Sequence, residues 1–275
     1  MDKKYEFTGK TMIYEGLDGK HVLHQIRAMK DIVNEVTGEI VPKGAVGGYI
    51  ENEKNLSQKD TCWAYEGTKI TGDAVLKDNA TLHDKAVLHH NAVVKGNATI
   101  FGNTIVCGNA VVKDESIVCG NAIISDNARI YGDSRVGGNA QISGKAEIYE
   151  KAVVGFDEMS ESLMENYVPK GYTKISGKAK VHGEALVFED ARVKGYADIS
   201  GDSCVREEAF VAGDAIVTGS AVVRGKCVVV GKDRVDKGVL LETTPSKFRF
   251  QRPTTHLKPT SKSDDRNKIN GNEME

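Results

Sequence analysis

Proline is scarce in this chain of 275 residues, and its five copies, Pro42, Pro169, Pro245, Pro253 and Pro259, all fall outside the units that repeat through its middle. A stretch free of proline can give every backbone N–H to a hydrogen-bonded ladder. Aromatic residues make up only 6%, with a single tryptophan, as expected where the interior accepts only narrow aliphatic side chains. Neither charge sign dominates: 37 Lys and Arg against 39 Asp and Glu leave a formal charge of −2. That balance excludes a strong general attraction to nucleic acid or to an anionic membrane. No apolar run approaches the roughly 20 residues of a membrane helix, and Met1-Asp2-Lys3-Lys4-Tyr5-Glu6-Phe7 has no signal-peptide core, so a cytoplasmic location is expected. The five cysteines, Cys62, Cys107, Cys119, Cys204 and Cys227, include no CxxC pair and are odd in number, which points to free, buried or neutral thiols.

What the chain does have is a six-residue phrase that runs through residues 67–231. Val94-Lys95-Gly96-Asn97-Ala98-Thr99 and Ile100-Phe101-Gly102-Asn103-Thr104-Ile105 show its spelling. An aliphatic residue opens each unit, Gly-Asn or an equivalent fills the middle, and a small residue stands two before the next aliphatic. About two dozen copies follow one another, and this period outweighs every other signal. Two inward positions separated by one outward residue describe a very short strand, because side chains alternate faces with period two. At the corner between strands, Gly and Asn tolerate positive φ at the least cost. A helix would need period 3.6 and would be opposed by this many Gly and β-branched residues.

The two ends do not repeat. Residues 1–66 read as a small N-terminal β cap: Lys10 to Tyr14 and Val22 to Ala28 alternate as strands, with Gly16-Leu17-Asp18-Gly19 as their turn. A cap is expected because an open coil end leaves strand edges and core exposed. Trp63, just where the repeats begin, reads as a packing anchor. The array itself, 67–242, is broken once by the acidic insert 155–172, expected as a loop thrown out from one corner. The polar segment 243–275 reads as a disordered tail. Its opening Lys247-Phe248-Arg249-Phe250 suits either a strand over the last coil or a contact with RNA, the strand being favoured.

This hexad resembles the repeat of left-handed β-helix proteins, in which three hexads make one triangular coil. The resemblance implies an all-β, left-handed parallel β-helix of about eight coils. Its handedness comes from the resemblance alone, since right-handed crossovers are the general rule. Gly stands two places after the aliphatic here, where the common form puts it one after. Ala45-Val46-Gly47-Gly48-Tyr49-Ile50-Glu51, with Asn55-Leu56-Ser57-Gln58 and Cys62-Trp63-Ala64-Tyr65, is similar to the opening segment of the YdcK-like group of bacterial proteins, which carry an acetyltransferase name. Hexapeptide proteins are commonly trimers, so the resemblance implies a homotrimer.

If the faces repeat every 18 residues, three outward columns follow: Val75, Val93, Val111, Arg129, Glu147; Thr81, Thr99, Ile117, Arg135, Val153; and Val87, Ile105, Ile123, Gln141. They are apolar early and polar midway, so the cap or a neighbouring subunit is expected over the early coils.

Two functions suit such a chain. One is a non-catalytic scaffold that binds a small ligand or a protein partner, as extended repeat surfaces do. The other, implied by the resemblance, is acyl transfer from acetyl-CoA, in which a histidine near a subunit interface deprotonates the acceptor. His83, His89, His90 and His182 all lie outside the inward slots, and His89, His90 and His182 are the catalytic candidates. Ligand or partner contacts are expected from the insert, at Phe156, Asp157, Glu158, Tyr167 and Tyr172, and from the column Lys77, Lys95, Lys113, which reads either as an anion site or as a solvated ladder. No metal site is assigned: a zinc centre needs three converging ligands, and His83 and His89 fall on successive faces. The scaffold reading is favoured over acyl transfer.

Overall fold

A computed structural model describes residues 3–16, 19–155 and 173–241. The insert from residue 156 to 172 and the segment from residue 242 lie outside the described residues, as do the expectations placed on them. The repeats form two-residue strands, and strands 18 residues apart pair in parallel, as Val93 with Val75 and Val111. Three parallel ladders result, which close into a three-sided solenoid. Face one carries Lys69–Ile70, Val87–Leu88, Ile105–Val106 and their successors to Val228–Val229. Face two runs from Val75–Leu76 to Arg234–Val235, and face three from Trp63–Ala64 to Val239–Leu240.

The solenoid has ten turns, where the repeat alone predicts about eight. Face three is a ten-stranded sheet, and face two has nine strands plus the parallel bridge Leu56 to Leu76. Face one has twelve strands, of which the first two belong to the cap, leaving ten. The additional rungs are Ile50, Leu56 and Ala64 at the front and Val235 and Leu240 at the back. Their spacing departs from six residues at two steps, eight from Leu56 to Ala64 and five from Val235 to Leu240, which hides them from a strict hexad count.

The second residue of each rung points inward. Leu76, Val94, Val112 and Ile130, stacked on face two, are fully buried, as are Ala74, Ala92, Ala110 and Ala128 two places before them. Each buried Val, Leu or Ile contributes about 1.5–3 kcal/mol of burial. Where Ser or Thr takes the small slot, its hydroxyl finds a backbone carbonyl: Thr68, Thr104, Ser116 and Ser134 donate to the one three residues earlier at 2.6–2.9 Å, and Thr173 and Ser203 to carbonyls of the following turn at 2.9 and 3.5 Å. A polar side chain therefore sits in the core without an unmet hydrogen bond.

The corner residue two after each inward aliphatic has positive φ, as at Gly96 (67°) and Gly102 (77°). The residues that replace Gly in this slot are mostly acidic. Asp78, Asp84, Asp114 and Asp126 hold φ of 57–63°, and each carboxylate accepts a hydrogen bond from the N–H in the same slot one turn on, at 2.8–3.2 Å. Glu150, Glu189 and Glu207 do the same. Beside this slot the asparagines form amide ladders, Asn91 to Asn109 to Asn127 and Asn103 to Asn121 to Asn139.

The insert leaves the register intact. Gln141 pairs with Lys174 and Val153 with Leu186, so this turn is an 18-residue turn with 15 residues added (174 − 141 = 33; 33 − 18 = 15).

The N-terminal cap continues face one with antiparallel strands. Strand β1 (Tyr5–Gly16) pairs with β2 (Gly19–Ala28), and a bulge between Phe7 and Thr11 shifts their register. The turn residues 17 and 18 lie outside the described set. After the short antiparallel ribbon β3 (Ile32–Val33) and β4 (Ile40–Val41), β5 (Val46–Ile50) pairs with β2 on one side and with Lys69–Ile70 on the other. Gly47 is required by close approach: a Cβ there would lie 2.7 Å from the Ala64 carbonyl oxygen and 2.8 Å from the Trp63 ring. Trp63, on the outer side of face three, is 1% exposed and belongs to the cluster that joins cap and solenoid core.

Asp126 tests the corner rule. Asp126→Gly exchanges a lost carboxylate cap for a relaxed φ and is expected to change unfolding free energy by less than about 0.5 kcal/mol. Asp126→Val loses the cap and places a β-branched residue at positive φ, costing about 2 kcal/mol or more. Chemical denaturation of the two variants checks the difference.

Candidate functional site

The residue that follows each inward aliphatic projects at a corner, and these residues also form columns. After the rungs of face two stand Lys77, Lys95, Lys113, Tyr131, Tyr149 and His182, on six successive turns. The Lys113 Nζ lies 4.9 Å from the centre of the Tyr131 ring. Tyr131 stacks on Tyr149 at 5.0 Å with 4° between planes, and Tyr149 on His182 at 4.6 Å with 3°. The spacing follows from the ladder: rungs about 4.8 Å apart hold flat rings at their stacking distance. Burial pushes the Tyr149 phenol up to about 12, with Tyr131 and the nearby carboxylates adding to it, and burial also raises Tyr131. Both phenols therefore stay protonated at neutral pH.

His182 closes the column between two carboxylates. Its Nε2 lies 3.0 Å from Asp198 Oδ1, and its Nδ1 lies 3.8 Å from Glu150 Oε2. Glu150 is the corner residue of the preceding turn, where it also accepts from the Gly183 N–H at 2.8 Å. Asp198 is the outward residue of the next rung of face two. Sequence reasoning saw no carboxylate beside a histidine. The 33-residue step across the insert conceals Glu150, and Asp198 emerges only when the rungs after the insert are numbered into the same ladder. The two tyrosines precede the insert and continue the even series 77, 95, 113, 131 and 149; they were missed because the column was followed only while it read lysine.

At the other end, Lys113 donates to Asp114 Oδ2 at 2.9 Å, and this hydrogen bond holds the Asp114 carboxyl below the usual range despite some burial. Lys77 and Lys95 lie in line beyond it. The column thus offers ammonium groups at one end, an aromatic middle, and a carboxylate-flanked imidazole at the other. In chemical terms it can hold an anion and position an acid or base about three turns away.

The other candidates fall in different places. His89 follows a rung of face one; it is 1% exposed and stacks on His90 at 4.2 Å with 13° between planes. Lying outside the inward slots did not leave His89 exposed, because corner side chains pack between turns. His90 occupies the positive-φ slot, at 61°. His83 follows a rung of face three and stacks on Tyr65 at 4.3 Å. The structure therefore brings Lys77, Lys95, Lys113 and His182 into one column and leaves His83, and the His89–His90 pair, in two others. Phe156, Asp157, Glu158, Tyr167 and Tyr172 lie outside the described residues. Among the described residues, no three His, Cys, Asp or Glu side chains converge to hold a metal ion.

The cap covers the start of face three. Asn34 donates to the Asn79 carbonyl at 3.1 Å, and Glu39 reaches to 3.7 Å from His83 Nε2, which also lies 3.0 Å from Thr81 Oγ1. Thr81 is buried as a result.

Three continuous ladders, an apolar interior one side chain wide per face, and polar corner columns define a parallel β-solenoid repeat protein. Comparison with known families agrees: residues 122–138 match the family described as YdcK Beta solenoid repeat. That match spans one turn of the ten. No curated protein sequence matches the chain at a significant level.

The His83 environment fixes a pH dependence. Burial holds its pKa below the ordinary histidine value, against the opposing pull of Glu39 and Asp84. The unfolded chain therefore takes up this proton first as pH falls, and folding stability drops from about pH 6.5 downward toward the lowered native pKa. Thermal melts between about pH 7.5 and 5.5 are expected to show this loss, and His83→Gln to flatten it.

Proposed function

We propose that this chain is a cytoplasmic, homotrimeric scaffold that binds a small ligand or a protein partner on its outer columns. The observation that carries this reading is the asymmetry between faces. Beyond the cap, the outward line of face three reads Thr99, Ile117, Arg135, Val153, Leu186, Cys204, Val222 and Val239, apolar but for Thr99 and Arg135. The same line of face two is apolar early, at Val75, Val93 and Val111, and then carries Arg129, Glu147, Lys180 and Asp198 in alternating sign, with Lys180 3.9 Å from Glu147. An apolar column along one face suits burial against further copies, and a self-paired charge ladder suits water. Five buried cysteines, none in a disulfide, suit a reducing compartment. The described residues contain no helix long and apolar enough to cross a membrane.

Within such a trimer the Lys77, Lys95 and Lys113 column, with Phe156, Asp157, Glu158, Tyr167 and Tyr172 of the insert, is the proposed binding surface. The second reading, acyl transfer from acetyl-CoA, is favoured by one observation: Asp198 orients the His182 ring as a carboxylate orients a catalytic base.

Sedimentation velocity is expected to give the mass of three chains for the natural protein and of one chain for the Ile117→Asp, Leu186→Asp double variant. A natural protein that sediments as a monomer sinks the trimer. Calorimetry with acetyl-CoA separates the two chemistries. Heat of binding, together with acetyl transfer abolished by His182→Ala, would replace the scaffold with the acyltransferase.

A further inference from the structure

The cap is tied to the first turn by a buried amine and thiol that neither proposed function uses. Lys4, just before β1, is 1% exposed, and Cys62, just before the first rung of face three, is fully buried. The Lys4 Nζ lies 3.1 Å from Cys62 Sγ, and it donates to the Cys62 carbonyl at 2.8 Å and the Lys59 carbonyl at 3.1 Å. Three acceptors thus fix the amine with its nitrogen against the sulfur. Around the thiol stand the carbonyls of Ser57, Lys59 and Leu76 at 3.6–4.0 Å, so the immediate surroundings of the sulfur are polar.

We propose that Lys4 and Cys62 are a modification site, at which peroxide drives formation of a covalent Nζ–Sγ bond that locks the cap onto the solenoid. Two balanced steps form it. Hydrogen peroxide oxidises the thiol: the O–O bond breaks, Cys–SH becomes Cys–SOH, and one water leaves. The Lys4 amine then attacks the sulfenic sulfur, the N–S bond forms, and the hydroxyl leaves as water with a proton from nitrogen. Sulfenic acids are known to condense with nearby nitrogen in this way, and a thiol reductant returns both side chains.

Geometry favours this fate over further oxidation, because the amine already stands where the attacking nucleophile must be. Burial also pulls Lys4 below the ordinary lysine value, toward the neutral amine that carries the reactive lone pair, although Cys62 and Asp60 oppose the shift. Burial raises the Cys62 thiol, with Lys4 opposing, so the site reacts slowly at rest and answers to sustained oxidant. Entry requires only local opening of the loop 57–61, whose Lys59 and Asp60 are exposed, with Asp60 at φ 56°. The product would join residues 58 positions apart (62 − 4), and so would withdraw freedom from the unfolded chain as a disulfide does.

The test uses the full-length natural protein treated with hydrogen peroxide and digested without reductant. The expected product is a pair of peptides containing Lys4 and Cys62, linked with the loss of two hydrogens and separated again by dithiothreitol. Lys4→Arg, whose guanidinium keeps a hydrogen bond but does not condense, and Cys62→Ser should both lack it. The oxidised natural protein should melt about 5–10 °C above its reduced form, with no such gain for Lys4→Arg. Recovery of Lys4 as an unlinked peptide, with Cys62 either unchanged or as its sulfinic or sulfonic acid, overturns the proposal. The peptide mapping needs no variant, so a misfolded Lys4→Arg would not rescue it.

Discussion

Every feature of this molecule depends on one hydrogen-bond register, in which the backbone of each turn pairs with the turn one step on. Val93 N–H donates to Ala110 O at 2.9 Å, Lys95 N–H to Val112 O at 3.0 Å, and at the corner Asn97 N–H to Asp114 O at 2.7 Å. Strand and corner belong to the same ladder, so no part of a regular turn is free to change length alone. The left-handed corner residue follows from this. Apart from His90, the slot is held by Gly or by an acidic residue whose carboxylate caps the next turn, which keeps the backbone in position under the turn stacked on it.

That register also determines where chemistry sits. Inward positions are filled mostly by Ala, Val, Ile and Leu, with Ser, Thr and Cys227 buried in a few of the small slots, and outward rung positions are spaced for pairing along the ladder. The corner columns remain, and there the turn spacing converts one residue choice per turn into a stack: lysine, lysine, lysine, tyrosine, tyrosine, histidine. Neither His182 nor Tyr149 is distinctive in its own hexad. Their significance comes from the neighbours that the ladder supplies, Asp198 above and Glu150 below.

The fold was legible because its code is redundant: Val94, Val112, Ile130 and Ile148 repeat the same instruction, and a local lapse such as Ser116 or Ser134 is corrected by a hydroxyl that bonds its own backbone. The 18-residue columns Val75 to Glu147, Thr81 to Val153 and Val87 to Gln141 were readable for the same reason, and the pairings follow them residue by residue. Other features were hidden by breaks in period. Ile50, Leu56 and Ala64 complete a turn at irregular spacing, so the turn count came out low. The covering of Thr81 by the β3–β4 ribbon depends on long-range contacts of Asn34 and Glu39, which no local pattern announces. The candidate site was legible at its lysines; the insert masked Glu150, and Asp198 shows only when the ladder places the outward residue of one rung beside the corner residue of the rung before it.

The central claim is that the inter-turn register, more than any individual core residue, specifies the fold. It is tested most directly by excision. Removing residues 113–130 deletes one whole turn, joins Val112 to Tyr131 and leaves every column in phase. That shortened chain should fold with a β-type circular dichroism spectrum and a cooperative melt close to the parent's. Removing residues 113–127 takes away fewer residues but joins Val112 to Ala128 out of phase, and should abolish the cooperative transition. Equal stability of the two chains, or collapse of the whole-turn deletion alone, would contradict the account.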